Sequence, residues 1–277
     1  MTTNSLPTPW WQSAAWAQKA LQRSAQFWFA TVLLGQAMFS YYIVMLYYVA
    51  TFNQDLERFN TVMPGGHIEG DVGGNIAVVV HVMLAASITV GGLLQLLPQI
   101  RHRWPAIHRW NGRLYVTTAL LMSLSGMYMI LTRSEKVVGG LTGHIAITIN
   151  ACIILVCAIM ALRLARQQRF AQHRVWALRL FLAVSGVWLF RVGLMAWLTW
   201  HGQPVGFDPV SFTGPFLTAL YGLVYLLPLL LLEVYLRAQR SPSVAKRWLT
   251  AGLVIVISLI LAFGVFGATL GMWLPRI

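Results

Sequence analysis

The sequence predicts an all-α polytopic membrane protein of seven transmembrane helices, with spans two to five forming a central four-helix bundle. Three observations predict it. Of 277 residues, 58% are hydrophobic and only 10% charged. Seven apolar stretches are each long enough to cross about 30 Å of hydrocarbon at about 1.5 Å per residue. Basic residues recur at alternate ends of those stretches. Hydrocarbon offers no water to unpaired backbone groups, and the stretches lack the alternation of a barrel strand, so closed helices are the solution.

Residues 1–26 come first. They hold Trp10, Trp11 and Trp16 among polar residues and lack the order of a cleavable signal peptide. An interfacial segment is expected there, with Lys19 and Arg23 leading into the first span. Residues 27–277 then form a single membrane domain, with no repeat, linker or soluble domain visible. The spans are expected at 27–50, 75–98, 106–131, 141–163, 173–199, 212–236 and 248–273. Pro215 and Pro228 are expected to bend span six, and Gly267 and Gly271, four apart, to pack span seven against a neighbour. Spans six and seven read as scaffold.

Charge asymmetry orients the chain. One face collects Lys19, Arg23, Arg101, Arg103, Arg109, Arg113, Arg163, Arg166, Arg169, Arg174, Arg179, Arg237, Arg240, Lys246 and Arg247. The other carries Arg58, Arg133, Lys136 and Arg276, with six of the seven acids: Asp55, Glu57, Glu69, Asp71, Glu135 and Asp208. The positive-inside rule then places the N-terminus in the cytoplasm and the C-terminus outside a bacterial inner membrane, as an odd number of spans requires. The formal charge of +13 is accounted for by loops resting on anionic membrane lipids, and no nucleic-acid partner is expected. Cys152 and Cys157 both fall in span four and read as buried packing thiols.

Four histidines, His81, His108, His144 and His173, lie near the starts of spans two to five. Successive spans run in opposite directions, so His81 and His144 fall near the outer face and His108 and His173 near the cytoplasmic one. The helix N-terminus disfavours a protonated imidazole. Neutral imidazole is the form that ligates iron, and two facing helices can each donate one axial ligand to a haem. Two b-type haems are therefore expected, one at each level.

Arg109, Arg113, Arg174 and Arg179 stand within two turns of the cytoplasmic histidines, where guanidinium groups suit haem propionates. Arg191 lies eighteen residues, or about five turns, beyond His173, hence on the same face of an unbroken helix. It is expected to point inward at the outer level. Gly112, Ala119 and Gly126 follow His108, and Gly91 and Gly92 follow His81; they admit either a macrocycle or a close helix.

The competing reading is a cofactor-free membrane protein, a small-molecule transporter or a partner subunit, in which the histidines only pack. A midplane transport site normally needs broken helices or deep polar groups, and the ionisable residues instead cluster near the two interfaces. No GxSxG elbow, P-loop or HExxH occurs, and no CxxCH for c-type haem attachment.

The stretch GGLLQLLPQIRHRWPAIHRWNGRLY, Gly91 to Tyr115, resembles the signature of a family of predicted bacterial multi-span membrane proteins, in which a basic, proline-containing loop leads into HRxxGRxY. It covers roughly residues 75–200 and implies no activity. More loosely, one histidine on each of four successive helices is similar to the transmembrane ascorbate-reducible di-haem cytochromes b. That resemblance implies electron transfer across the membrane, with His81 and His144 on the outer haem and His108 and His173 on the inner one. It also implies an electron donor and acceptor, such as a quinone or an ascorbate-like reductant. Seven spans depart from that family's pattern. A homodimer and a monomer are both compatible with the sequence.

The remaining motifs are smaller. The loop PGGHIEGDVGGN, Pro64 to Asn75, combines His67, Glu69 and Asp71 with glycines and reads as a solvated loop. His102 and His201 read as hydrated loop residues. Glu233 is expected to pair with Arg237, four residues on.

Overall fold

The computed structural model describes residues 13–133 and 139–277, with nothing stated for the side chain of Arg133. Trp10, Trp11, Glu135 and Lys136 lie outside the described residues. Nine α-helices of six residues or more carry the described part: α1 Ala14–Ile43, α2 Val72–Leu96, α3 Pro98–Arg103, α4 Pro105–Arg133, α5 Gly140–Arg166, α6 Phe170–Val184, α7 Gly186–His201, α8 Pro215–Arg240 and α9 Val244–Ala268. Six helical segments can each cross a membrane, and α6 with α7 supplies a seventh span bent by 50°. This is the expected all-α, seven-span protein.

Span one differs from expectation at both ends. Its helix begins at Ala14, inside the stretch expected to lie at the interface, and Lys19 stacks 5.3 Å from the Trp16 ring on that first part. At the other end α1 passes into a π-helical turn, Val44–Tyr48, and a last α-turn to Phe52. π-turns widen a helix and re-aim its side chains. Here Tyr47 turns inward and is almost fully buried, while the Tyr48 hydroxyl donates to the Met83 carbonyl of α2.

Local chemistry sets the other helix ends. The Asp71 side chain caps α2, accepting from Gly74 N–H at 2.9 Å. Pro98, Pro105 and Pro215 each open a helix, where the missing N–H has no partner to lose. Pro215 therefore starts span six, and Pro228 alone lies within it. Ser243 Oγ caps α9 through Lys246 N–H, and Gly202, at φ +68°, ends α7.

The break in span five was not expected. Ser185 and Gly186 stand at it, and Gly/Ser pairs are a recognised cause of sharp kinks. Ser185 Oγ donates to the Phe181 carbonyl at 2.8 Å and accepts from Gln36 Nε2 of α1 at 2.9 Å. Asn150 Nδ2 of α5 bonds the Ala183 carbonyl at 3.1 Å, next to the break. Gly186 admits the ring of Tyr225: a Cβ there would sit 2.5 Å from Tyr225 Cε1.

The histidine-bearing spans are consecutive neighbours, α2 against α4, α4 against α5 and α5 against α6. The bundle closes toward the basic face where Gly92 of α2 meets the rings of Tyr115 and Phe181, at 3.0–3.1 Å for a Cβ placed there. Gly91 and Gly92 thus serve close helix packing. α1 packs along α2 and α9, and α9 lies on α7. Gly264 of α9 approaches the Val192 carbonyl, and Gly267 approaches Thr199 and the Met195 carbonyl, so the expected glycine contact of span seven is made with α7. Large apolar side chains such as Leu34, Leu121, Ile159, Leu230 and Ile260 remain at least half exposed, as surfaces facing acyl chains do.

A membrane-embedded cavity and two histidine levels

An internal cavity of about 310 Å³ lies between α1, α2, α4, α5 and the α6–α7 break, at the low end of the usual range for small-molecule sites. Its wall runs from Val78 to Thr89 on α2, about 16 Å along the helix axis. Phe39, Tyr42, Phe181 and Trp188 supply aromatic surface, and Met63, Pro64 and Gly65 border it from the loop after span one.

His81 is part of this wall. Its Nδ1 lies 2.9 Å from Ser125 Oγ of α4, and that hydroxyl donates its single hydrogen to the Met122 carbonyl at 3.1 Å. The network therefore assigns the Nδ1–H tautomer, with Nε2 left as an acceptor that has no hydrogen-bond partner among the described residues. Gly126 sits beside the ring, 3.7 Å from Cε1 for a Cβ built there, and with Ala119 it lines the cavity. These two small residues face open space, in contrast to Gly91 and Gly92.

Arg191 also reaches this wall. Its guanidinium lies 5.5 Å from the Phe39 ring centre and NH1 donates to the Val187 carbonyl at 3.3 Å. No carboxylate pairs with it among the described residues. The inward direction agrees with expectation, while the expected continuous face from His173 does not survive, because the 50° bend at Ser185 separates the two residues.

His144 is not in the wall. It stands on the α5 face of Ile147, Ala151 and Ile154, which do line the cavity, one turn nearer the helix start. The outer pair is thus not brought together inside this space.

At the basic face His108 and His173 lie within electrostatic range of one another and of Arg101 and Arg109. His173 Nδ1 is 2.9 Å from the Ala161 carbonyl, which can only accept, so Nδ1 carries the hydrogen and in the neutral ring the lone pair is on Nε2. His108 Nδ1 is buried without a hydrogen-bond partner among the described residues. Gln95 of α2 reaches across to the His108 carbonyl at 2.9 Å and packs beside Gly112. Arg109, Arg113 and Arg174 are exposed, and Arg113 stacks 4.8 Å from the Trp110 ring centre.

Arg179 is engaged elsewhere. Its NH2 and Nε bond Glu233 Oε1 of α8 at 2.7 and 2.9 Å, above the Trp176 ring. Glu233 therefore pairs across helices with Arg179, and not with Arg237 along its own. This ion pair lies in a groove between α5, α6 and α8 that also exposes Cys152; only Cys157 is the buried thiol that was expected. The Pro64–Asn75 loop is tied down more firmly than a solvated loop. Asn60 bonds both backbone groups of His67, Asn75 both of Ile68, and His67 Nδ1 meets Glu57 Oε1 at 3.0 Å. His201 Nδ1 bonds the Trp197 carbonyl at 3.0 Å, and His102 is exposed.

Gln36, Asn150, Ser123, Tyr115 and Trp188 were missed as site residues. The usable signal was an amide inside an apolar run, since a polar side chain at membrane depth must find a partner or a cavity. No group of three or more His, Cys, Asp or Glu side chains able to hold a metal ion occurs among the described residues.

Fold and cavity together define an integral, multi-span helical membrane protein with a small-molecule-sized space in its bundle. Over residues 78–210 the chain is similar to a family described as a predicted membrane protein (DUF2306), a description that states a location and no activity. The matched stretch contains all four histidines of spans two to five. No curated protein and no solved structure matches the chain.

Proposed function

We propose that this protein is a transmembrane electron-transfer protein of the b-type cytochrome kind, with haem b held at the basic face between His108 and His173. The observation that carries the reading is that the two imidazoles lie within electrostatic range of one another at one end of the bundle, with the His173 Nδ1–H committed to a backbone carbonyl and the Nε2 of the neutral ring left for iron. The unpartnered His108 Nδ1 marks a ring whose surroundings are incomplete in the protein alone. Arg109, Arg113 and Arg174 supply cations for propionates, whereas Arg179 is committed to Glu233. A bound haem supplies one-electron transfer; the chain supplies ligands, burial and counter-charge.

One resemblance supports this reading, the histidine order similar to that of ascorbate-reducible cytochromes b; the HRWNGRLY stretch places His108, Arg109 and Arg113 near one helix start. The second haem, on His81 and His144, is left out, because only His81 reaches the cavity. By the positive-inside rule the basic face belongs in the cytoplasm of a bacterial cell, with a quinone or an ascorbate-like reductant as the class of redox partner.

Pyridine haemochrome assay of the purified protein tests the proposal. Haem is expected in the wild type and absent from His108→Ala and His173→Ala, with His81→Ala and His144→Ala unchanged. A colourless preparation from haem-replete cells overturns it. One observation favours a second reading, a cofactor-free carrier of small molecules: the broken fifth span, with amides at the break beside a cavity, is a feature of transport sites.

A further inference from the structure

Five buried side-chain polar atoms that lack a hydrogen-bond partner among the described residues belong to residues lining this one cavity: Gln36, Tyr115, Ser123, Asn150 and Trp188. Gln36 and Trp188 are 2% and 3% exposed, and Tyr115, Ser123 and Asn150 no more than 6%. Unpaired polar groups are costly at membrane depth, and so many around one space call for a ligand that pairs them.

The amides specify what that ligand offers. Gln36 gives one NH₂ hydrogen to Ser185 and Asn150 gives one to the Ala183 carbonyl, so the amide atoms with no partner at all are Gln36 Oε1 and Asn150 Oδ1, both acceptors. His81 Nε2 is a third acceptor, by the tautomer that Ser125 assigns. Three acceptors ask for O–H or N–H hydrogens. The Trp188 N–H and the Tyr115 and Ser123 hydroxyls are donors, and they ask for oxygens. The walls are aromatic and the space is elongated.

A haem meets this poorly. Its carboxylates suit Arg191, yet nothing on it donates to Gln36 or Asn150, and a single imidazole lines the space. A fatty acid likewise brings an anion and no donor once ionised. A quinol brings a flat apolar ring whose hydroxyls both donate and accept.

We propose that the cavity binds a lipid-soluble quinol, with one ring hydroxyl donating its hydrogen to Asn150 Oδ1 at the α6–α7 break and accepting from Trp188, and the other donating to His81 Nε2. The proposal concerns a different site from the haem proposed above and stands without it. The oxidised quinone has lost the donated hydrogens, so it leaves the acceptors orphaned and binds more weakly.

Full-length protein in nanodiscs is incubated anaerobically with decylubiquinol or decylubiquinone, and retained compound is measured against empty nanodiscs. About one quinol per chain is expected, held at least about tenfold more tightly than the quinone. Asn150→Leu and Trp188→Phe each weaken quinol retention severalfold, and Leu121→Ala, on the lipid-facing surface, does not. If Asn150→Leu fails to fold, the wild-type quinol-to-quinone ratio and Trp188→Phe decide the matter. Equal retention of the two redox forms overturns the proposal. So does palmitate retention that is lost in Arg191→Gln, which makes this an anion site, or haem that is lost in His81→Ala. A colourless protein that still prefers quinol overturns only the haem reading; a haem-bearing protein indifferent to quinol overturns only this one.

Discussion

Gln36 Nε2 of span one donates to Ser185 Oγ at the break of span five, 2.9 Å away and 149 residues later in the chain. The serine passes its own hydrogen to the Phe181 carbonyl, so one amide holds the first helix against the bend that shapes the cavity. Both side chains are almost fully buried. A double-mutant cycle of Gln36→Leu and Ser185→Ala is expected to give a coupling of about 1 kcal/mol. Unfolding in mixed micelles measures it, and strict additivity of the two changes means the contact contributes nothing.

The Arg179–Glu233 pair links α6 to α8 with both side chains only about one-third exposed. Removing one partner strands the other beside acyl chains. Arg179→Met and Glu233→Leu singly are expected to cost about 1–3 kcal/mol, the lower figure reflecting their partial exposure, while the double replacement recovers most of the loss. Thermal midpoints of the four proteins in detergent check this; a double variant as unstable as the sum of the singles refutes it.

The α9–α7 contact depends on absent side chains. A Cβ at Gly264 would stand 2.5 Å from the Val192 carbonyl oxygen, against backbone that cannot rotate away. Gly264→Leu is expected to destabilise by at least about 2 kcal/mol, whereas Gly252→Leu, where nothing lies within 4 Å, is expected to be neutral. Monodispersity on size exclusion and the thermal midpoint report the contrast.

The loop beside the cavity is clamped by Asn60, whose side chain both accepts from the His67 N–H and donates to the His67 carbonyl. Asn60→Ala is expected to raise tryptic cleavage after Arg58 severalfold without changing the thermal midpoint, since only a local opening is involved. Unchanged cleavage kinetics count against the clamp.

Trypsin also reads orientation. With the basic face in the cytoplasm, Arg58 is cut in intact spheroplasts and the many arginines of the opposite face are protected. The reverse pattern inverts the topology.

Much of the architecture was legible because composition and apolar length speak directly to the cost of exposing backbone to hydrocarbon. The all-α, multi-span fold comes from that source. The misplaced elements share a cause. Apolar length predicts span five as one straight helix, and the bend at Ser185 and Gly186 is held by the Gln36 and Asn150 amides from other spans, with Tyr225 seated on Gly186. Glu233 was assigned its neighbour along the helix because the cross-helix partner is 54 positions away. His144 shares the α5 face that lines the cavity but lies one turn nearer the helix start, a depth that counting residues to within a few positions does not resolve.

The order of residues by itself determined that this chain is a helical membrane protein, since each helix must satisfy its own backbone in lipid. Tertiary structure alone decided that a polar-studded cavity exists and which groups share it. Its wall is assembled from six helices, and the hydrogen bonds that aim each amide and imidazole form only when distant segments pack.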